Sequence, residues 1–353
     1  MDRRPALKAM FRAGVILAVF LLVAMAIYQQ HTKPPQAVRR SSTRHVSREA
    51  FTRADEYDRI LASKDRTVSS ADAELHEIAA PVPKPKRSTL MIYMIGSNLE
   101  SRNAAASADL REMVESGVDL TQTNVIVYAG GSNRWNSKVP TGCNNVLDLS
   151  LPEGDWVVAQ TNSNVSMGAS QTLAAFINYC TTHYPAEHNA IVFWDHGNGP
   201  LWGYGNDELH DGDGLILSEM RDAMEETDFA TSKPGKLDWV GFDACLMGSI
   251  ENASLWKDYT NNLVVSEETE PGDGWNYAFL NALNNAEDPA QICSAIVASY
   301  EDHYKRTSSA FSNPEVTLAY YDLAKLDSVV EAFNSLLESL RDMLAEGGYA
   351  DLC

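Results

Sequence analysis

Basic residues are scarce in this chain. It holds 28 Lys and Arg against 48 Asp and Glu in 353 residues, a formal net charge of −20. A phosphate backbone is bound by surplus cations, so nucleic acid is excluded as an expected partner. Glycine (21) and proline (14) are too few for a collagen-like or low-complexity chain. Cysteine is sparse, with five residues, and a chain this long buries a sizeable core without disulfide staples. No Cys-x-x-Cys and no His-Glu-x-x-His occurs, so no metal ligands are expected from zinc-site spacing. No Gly-x-Gly-x-x-Gly opens a helix after a strand, and no Gly-x-Ser-x-Gly is present. A dinucleotide site and a serine-hydrolase elbow are therefore not expected.

The charge that is present is unevenly spread. Residues 1–87 carry 16 Lys/Arg and 9 Asp/Glu, a balance of +7; residues 88–353 carry 12 and 39, a balance of −27. An acidic body concentrates cationic ligands near it, whether basic peptides or metal cations. Arg3, Arg4, Lys8 and Arg12 precede an uncharged apolar run, Ala13–Tyr28. That order predicts a signal peptide or membrane anchor over residues 1–30, with Ala24-Met25-Ala26 as a small-residue cleavage site. Either reading places the body outside the cytoplasm and gives the anchored form a membrane contact through this segment. Residues 31–87 are basic and contain Pro34-Pro35 and Pro81-Val82-Pro83-Lys84-Pro85, which reads as a linker or a pro-segment.

From residue 88 the pattern changes. Short apolar runs at 89–95, 125–129, 190–194, 239–242 and 263–265 alternate with helical stretches at about 102–115, 169–184, 218–228, 247–258 and 289–306. Residues 145–160 read as two strands around Pro152-Glu153-Gly154-Asp155, and a last strand at 316–321 precedes a helix at 324–344. This is an α/β chain, with a mostly parallel central sheet and helices on both faces. Ligands of such sheets bind beyond the carboxyl ends of strands.

Two strand ends carry reactive groups: Trp194-Asp195-His196-Gly197-Asn198-Gly199 and Gly241-Phe242-Asp243-Ala244-Cys245-Leu246-Met247-Gly248. A free thiol, with a pKa of about 8.5, is only a few per cent thiolate at neutral pH. An imidazole and the start of the helix after Cys245 would both favour the thiolate. Glycine beside each group lets a substrate backbone approach and leaves N–H groups to face an oxyanion. The His lies 49 residues before the Cys, the order and separation of the caspase pair.

His-Gly-x-Gly after one strand and Asp-Ala-Cys-Leu-Met-Gly after a later one resemble the clostripain family of cysteine peptidases, in the caspase-like group. Tyr93-Met94-Ile95-Gly96-Ser97-Asn98-Leu99-Glu100 and Ser266-Glu267-Glu268-Thr269-Glu270-Pro271-Gly272-Asp273-Gly274-Trp275 match as well. The resemblance covers about residues 88–353 and implies a caspase-like three-layer sandwich. It implies Cys245 as nucleophile, His196 as its partner, and the N–H groups of Gly197 and Cys245 as oxyanion hole. It places Asp243 at the base of the pocket for the residue before the cut, where a carboxylate suits Arg or Lys. Ser266 and Glu267 are expected along the substrate groove. Relatives often cut themselves after a basic residue between the two motifs, which makes Arg221 and Lys236 the candidate points. Relatives also continue past Asp351-Leu352-Cys353, so the domain is expected to be incomplete at its C-terminus.

The expected function is an exported endopeptidase acting after Arg or Lys on peptides or proteins. The alternatives are a caspase-like peptidase of other specificity, such as cleavage after Asn, and a non-catalytic surface binding protein that keeps the fold. No cofactor is expected to be required. Calcium is the one candidate: the resemblance to the clostripain family implies it, and Asp211-Gly212-Asp213-Gly214 resembles part of a calcium loop. Leu209 and Met220, however, stand where an EF-hand needs its first and last carboxylates. Most of the cysteines are expected to be unpaired.

Overall fold

A computed structural model describes residues 84–149, 155–231, 235–307 and 316–345. The leader at 1–30, most of the 31–87 segment and Cys353 lie outside these residues. Among the described residues no helix is long and apolar enough to cross a membrane.

The strands run β1 (Lys86–Ile95), β2 (Thr123–Gly130), β3 (Asn144–Asp148), β4 (Val157–Asn162), β5 (Ala186–Trp194), β6 (Tyr204–Asp207), β7 (Asp213–Leu215), β8 (Trp239–Asp243), β9 (Asn262–Val265) and β10 (Ala319–Asp322). Eight form one sheet in the order β10-β9-β8-β5-β1-β2-β3-β4. The middle five pair in parallel, and β3, β4 and β10 are antiparallel additions at the two edges. The helices are α1 (Ser97–Asn103), α2 (Ala105–Glu115), α3 (Ser170–His183), α4 (Gly199–Trp202), α5 (Leu217–Glu225), α6 (Ile250–Trp256), α7 (Pro289–Thr307) and α8 (Leu326–Ala345).

Near-continuous apolar strands are explained by burial on both faces. Alternate residues of β1 enter two separate cores. Met91, Tyr93 and Ile95 pack with Phe176 and Ile177 of α3, Met220 and Met224 of α5 and Trp256 of α6. Leu90, Ile92 and Met94 pack with Leu110 and Met113 of α2, Phe279 and Leu280 of a 3₁₀ turn, and Ile296 and Tyr300 of α7. The result is the expected three-layer α/β sandwich.

Several boundaries differ from the sequence reading. β1 starts at Lys86, inside the stretch read as linker, because Lys86 Nζ is held by the Leu120 carbonyl at 2.7 Å and Arg87 N–H by Gln122. The helix expected at 102–115 is two helices, broken at Ala104, whose φ of 59° is left-handed. The helix after Cys245 begins only at Ile250, with Ser249 capping Asn252 N–H at 3.2 Å. Its first turn is therefore not at the thiol. The β6–β7 hairpin was not anticipated, since its glycine- and acid-rich sequence has no apolar alternation. Cys143, Cys180, Cys245 and Cys293 are free thiols.

One buried carboxylate ties the first helices to the loop after β2. Glu100 is fully buried and accepts from Ser107 N–H (2.9 Å), Ser107 Oγ (2.7 Å) and Asn136 N–H and Nδ2. Replacing Glu100 by Ala strands these donors. We expect a loss of about 3 kcal/mol in urea unfolding, because each buried group left unsatisfied costs about 1–3 kcal/mol.

Candidate active site

β5 and β8 are neighbours, and their last paired residues are Trp194 and Asp243. Both chains then leave the sheet at the same carboxyl end, carrying His196 and Cys245 with them. The two loops touch through their backbones. A Cβ placed on Gly197 would lie 1.8 Å from the Cys245 carbonyl oxygen, so only glycine fits. Leu246, at φ 62°, turns the chain sharply after the thiol, and its N–H is taken by Glu268 O at 3.0 Å. Asn198 N–H is taken by Gly203 O at 2.8 Å. Among the described residues, the N–H groups of Gly197 and Cys245, which lie between these anchored neighbours, donate no hydrogen bond.

His196 is half-buried, and its Nε2 lies 2.7 Å from Asn98 Oδ1. An amide oxygen only accepts, so Nε2 carries the proton and Nδ1 keeps a lone pair. Burial lowers the His196 pKa below the ordinary histidine value, which leaves the ring neutral at pH 7. Cys245 is half-buried, and its Sγ accepts from Glu270 N–H at 3.2 Å. The imidazole and thiol are not directly hydrogen-bonded in this structure, and such bonds commonly tighten only once substrate is bound.

Asp243 is buried beside this pair. Its Oδ1 accepts from Trp275 N–H at 3.1 Å and its Oδ2 from Tyr277 OH at 2.9 Å. Burial pushes its pKa up to about 7 against the pull of those two hydrogen bonds, and Glu112 pushes the same way. Gly274, at φ 60°, lets the loop close over the carboxylate: a Cβ there would lie 2.8 Å from Asp243 Oδ1. Asp109 of α2, which accepts from Trp194 Nε1 at 2.6 Å, is a further buried acid nearby.

Ser266 is fully buried; its hydroxyl pairs with Thr317 Oγ1 at 2.8 Å and with Glu268 O at 3.0 Å. Its side chain is spent inside the fold. Glu267 is exposed and accepts from Tyr321 OH at 2.6 Å. Arg221 lies inside α5, whereas Lys236 is exposed just before β8, with its ammonium on Lys257 O at 2.6 Å. Asp213 accepts from Ser166 Oγ at 2.6 Å. Among the described residues, no group of three or more His, Cys, Asp or Glu side chains is placed to hold a metal ion.

Asn98 and Glu270 stand in the two supporting motifs, Tyr93–Glu100 and Ser266–Trp275, a signal that marks the segments without assigning either residue a role. Asp109 had no such signal, being a single acid on a helix.

The model of the clostripain family matches residues 92–351. The chain belongs to this family. Clostripain of Hathewaya histolytica is 23% identical over 80% of this chain and 61% of that protein, so the chain spans about three-fifths of that relative's length. A solved secreted C11 cysteine protease from Bacteroides thetaiotaomicron, in complex with an irreversible peptide inhibitor, superposes with a TM-score of 0.58 at 21% identity, covering 72% of this chain and 71% of that one. An inactive zymogen C11 protease from Parabacteroides distasonis gives a TM-score of 0.52 at 19% identity, covering 70% and 65%. At such identities these likenesses speak for the fold, which is the α/β sandwich described above.

Two outcomes follow for the clostripain-family site. Gly197→Ala drives a methyl group into the Cys245 carbonyl; iodoacetamide labelling of Cys245 should slow at neutral pH and peptide cleavage should fall below detection. Asn98→Ala frees the His196 ring, and kcat/KM should fall roughly 10- to 100-fold, with a shifted acid limb in its pH profile. An unshifted limb would assign Asn98 no part in holding the imidazole.

Proposed function

We propose that this chain is an exported cysteine endopeptidase that cleaves peptides or proteins after Arg or Lys. The observation that carries the reading is the Gly197–Cys245 backbone contact, which joins a histidine loop and a cysteine loop at one rim of the sheet.

The chemistry uses groups of the chain itself. His196 Nδ1 takes the proton of the Cys245 thiol, and the thiolate attacks the scissile carbonyl. Charge developing on the carbonyl oxygen is received by the free N–H groups of Gly197 and Cys245; loss of one such donor typically costs about 2.7–4 kcal/mol of transition-state stabilisation. The imidazolium returns the proton to the leaving amine and leaves an acyl-enzyme. His196 then activates the water that releases the acid and restores the thiol. Asn98 fixes the tautomer this sequence needs. Asp243, set back from the nucleophile and flanked by further acids, supplies the negative charge that favours Arg or Lys over Asn before the cut. Export rests on the basic and apolar order of residues 1–30.

A fluorogenic panel with Arg, Lys, Asn and Asp before the cut tests this reading. Arg and Lys substrates should be hydrolysed, Cys245→Ala and His196→Ala should abolish turnover, and Asp243→Asn should lower kcat/KM for Arg roughly 100-fold. Cleavage after Asn with Arg and Lys ignored would overturn the specificity. The pH dependence has a definite sign. A carboxyl with a pKa of about 7 is increasingly neutral below that pH, so KM for Arg substrates should rise as pH falls from 8 to 6, while KM for a neutral-side-chain substrate stays flat.

A further inference from the structure

Two large apolar side chains stand exposed beside the reactive pair. Leu201, on the turn that continues the histidine loop, is 75% exposed, the highest value for a large apolar side chain among the described residues. Leu246, directly after Cys245, is 37% exposed. The segments that carry them touch: a Cβ on Gly199, two residues before Leu201, would lie 3.9 Å from Leu246 Cβ.

Neither exposure belongs to a loose loop. Pro200 stiffens the Gly199–Trp202 turn, and Gly203 N–H closes it on the Gly199 carbonyl at 2.8 Å. Leu246 is fixed through its N–H on Glu268 O, at a left-handed φ of 62°. That region is open to glycine and disfavoured for a residue with a side chain. Leu246 is therefore unfavourable twice over in the empty protein: its backbone suits glycine, and its apolar surface meets water. One exposed leucine is ordinary. Two of them, one on strained backbone, flanking the nucleophile and the imidazole, call for something that covers them.

The chemistry says which part of a substrate that is. The loop after β9 approaches Cys245 through Glu270 N–H and closes over Asp243 at Gly274–Trp275. The histidine loop meets the Cys245–Leu246 backbone separately, through Gly197 and Gly199. His196 hands its proton to the leaving amine, so the residue carrying that amine must lie against the histidine loop. We propose that Leu201 and Leu246 form the contact surface for the first residue after the cut, and that this residue is apolar. The assignment rests on the reading of the chain as a cysteine endopeptidase, not on which residue precedes the cut. A leucine, methionine or phenylalanine at that position takes apolar surface of both leucines out of water.

The test uses two peptides that differ only after the cut, with Leu or Ser there, and carry before it whichever residue the fluorogenic panel shows to be accepted. Wild type should cleave the Leu peptide with a kcat/KM roughly 10-fold above that of the Ser peptide. In Leu201→Ser and in Leu246→Gly this ratio should fall about threefold, and in the double variant it should approach one. A ratio within one enzyme is not moved by a general loss of activity. Glycine suits the backbone at 246 and Leu201 is three-quarters exposed, so both variants should unfold close to the wild-type temperature; if Leu246→Gly fails to fold, Leu201→Ser alone decides. Acyl transfer gives a second readout. An acyl-enzyme formed from an ester is offered leucinamide or serinamide: the amine nitrogen bonds to the acyl carbon as the bond to Cys245 Sγ breaks, and the amine's proton returns to the sulfur through His196. Leucinamide should capture more acyl group than serinamide in wild type and lose that advantage in the double variant. Equal Leu and Ser rates in wild type, or a Leu preference undiminished in the variants, would overturn the assignment and leave the peptidase reading standing. No turnover of any panel member would sink that reading, and this assignment with it.

Discussion

The site depends on one steric constraint: two polypeptide backbones meeting at the end of adjacent parallel strands. β5 and β8 end in register at Trp194 and Asp243, and the residues beyond them can meet only because Gly197 has no side chain to hold Cys245 away. That contact sets the position of the imidazole, the sulfur and the two N–H groups at once. Because both loops spring from a sheet buried on both faces, their stems have little freedom to move.

The rest of the site is built outward from that contact. The β1 end supplies Asn98, which holds the ring from the side of Nε2, and Glu100 four bonds' worth of hydrogen bonding deep in the fold keeps that corner in place. The loop after β9 folds back so that Glu270 N–H reaches the sulfur and Gly274–Trp275 close over Asp243. Three strand ends and one returning loop thus converge on a single rim. Acidity accumulates there: Asp109 and Glu112 lie on α2, Asp243 ends β8 and Glu270 stands in the loop after β9, and Asp243 adds to burial in raising the proton affinity of Asp109 and Glu270.

The apolar runs of β1, β2, β5, β8 and β9 were legible because burial on both faces demands uninterrupted hydrophobic residues over a short length. The helix starts were less so. Cys245 appeared to stand at a helix N-terminus, yet Ser249 caps that helix and the left-handed Leu246 separates the two. The break at Ala104 and the β6–β7 hairpin were also hidden, since a single left-handed residue and a glycine-rich turn leave no periodicity to read.

By itself the sequence determined the layered α/β architecture and the place of His196 and Cys245 just past strands, because hydrophobic periodicity and glycine placement are local properties written residue by residue. Only the tertiary structure decided which nitrogen of His196 is free, that Ser266 is spent inside the fold, and that the carboxyl of Glu270 is buried unpaired beside an occupied Asp243. Those facts depend on distances between segments far apart along the chain, and on the withdrawal of charge from water, neither of which any local pattern encodes.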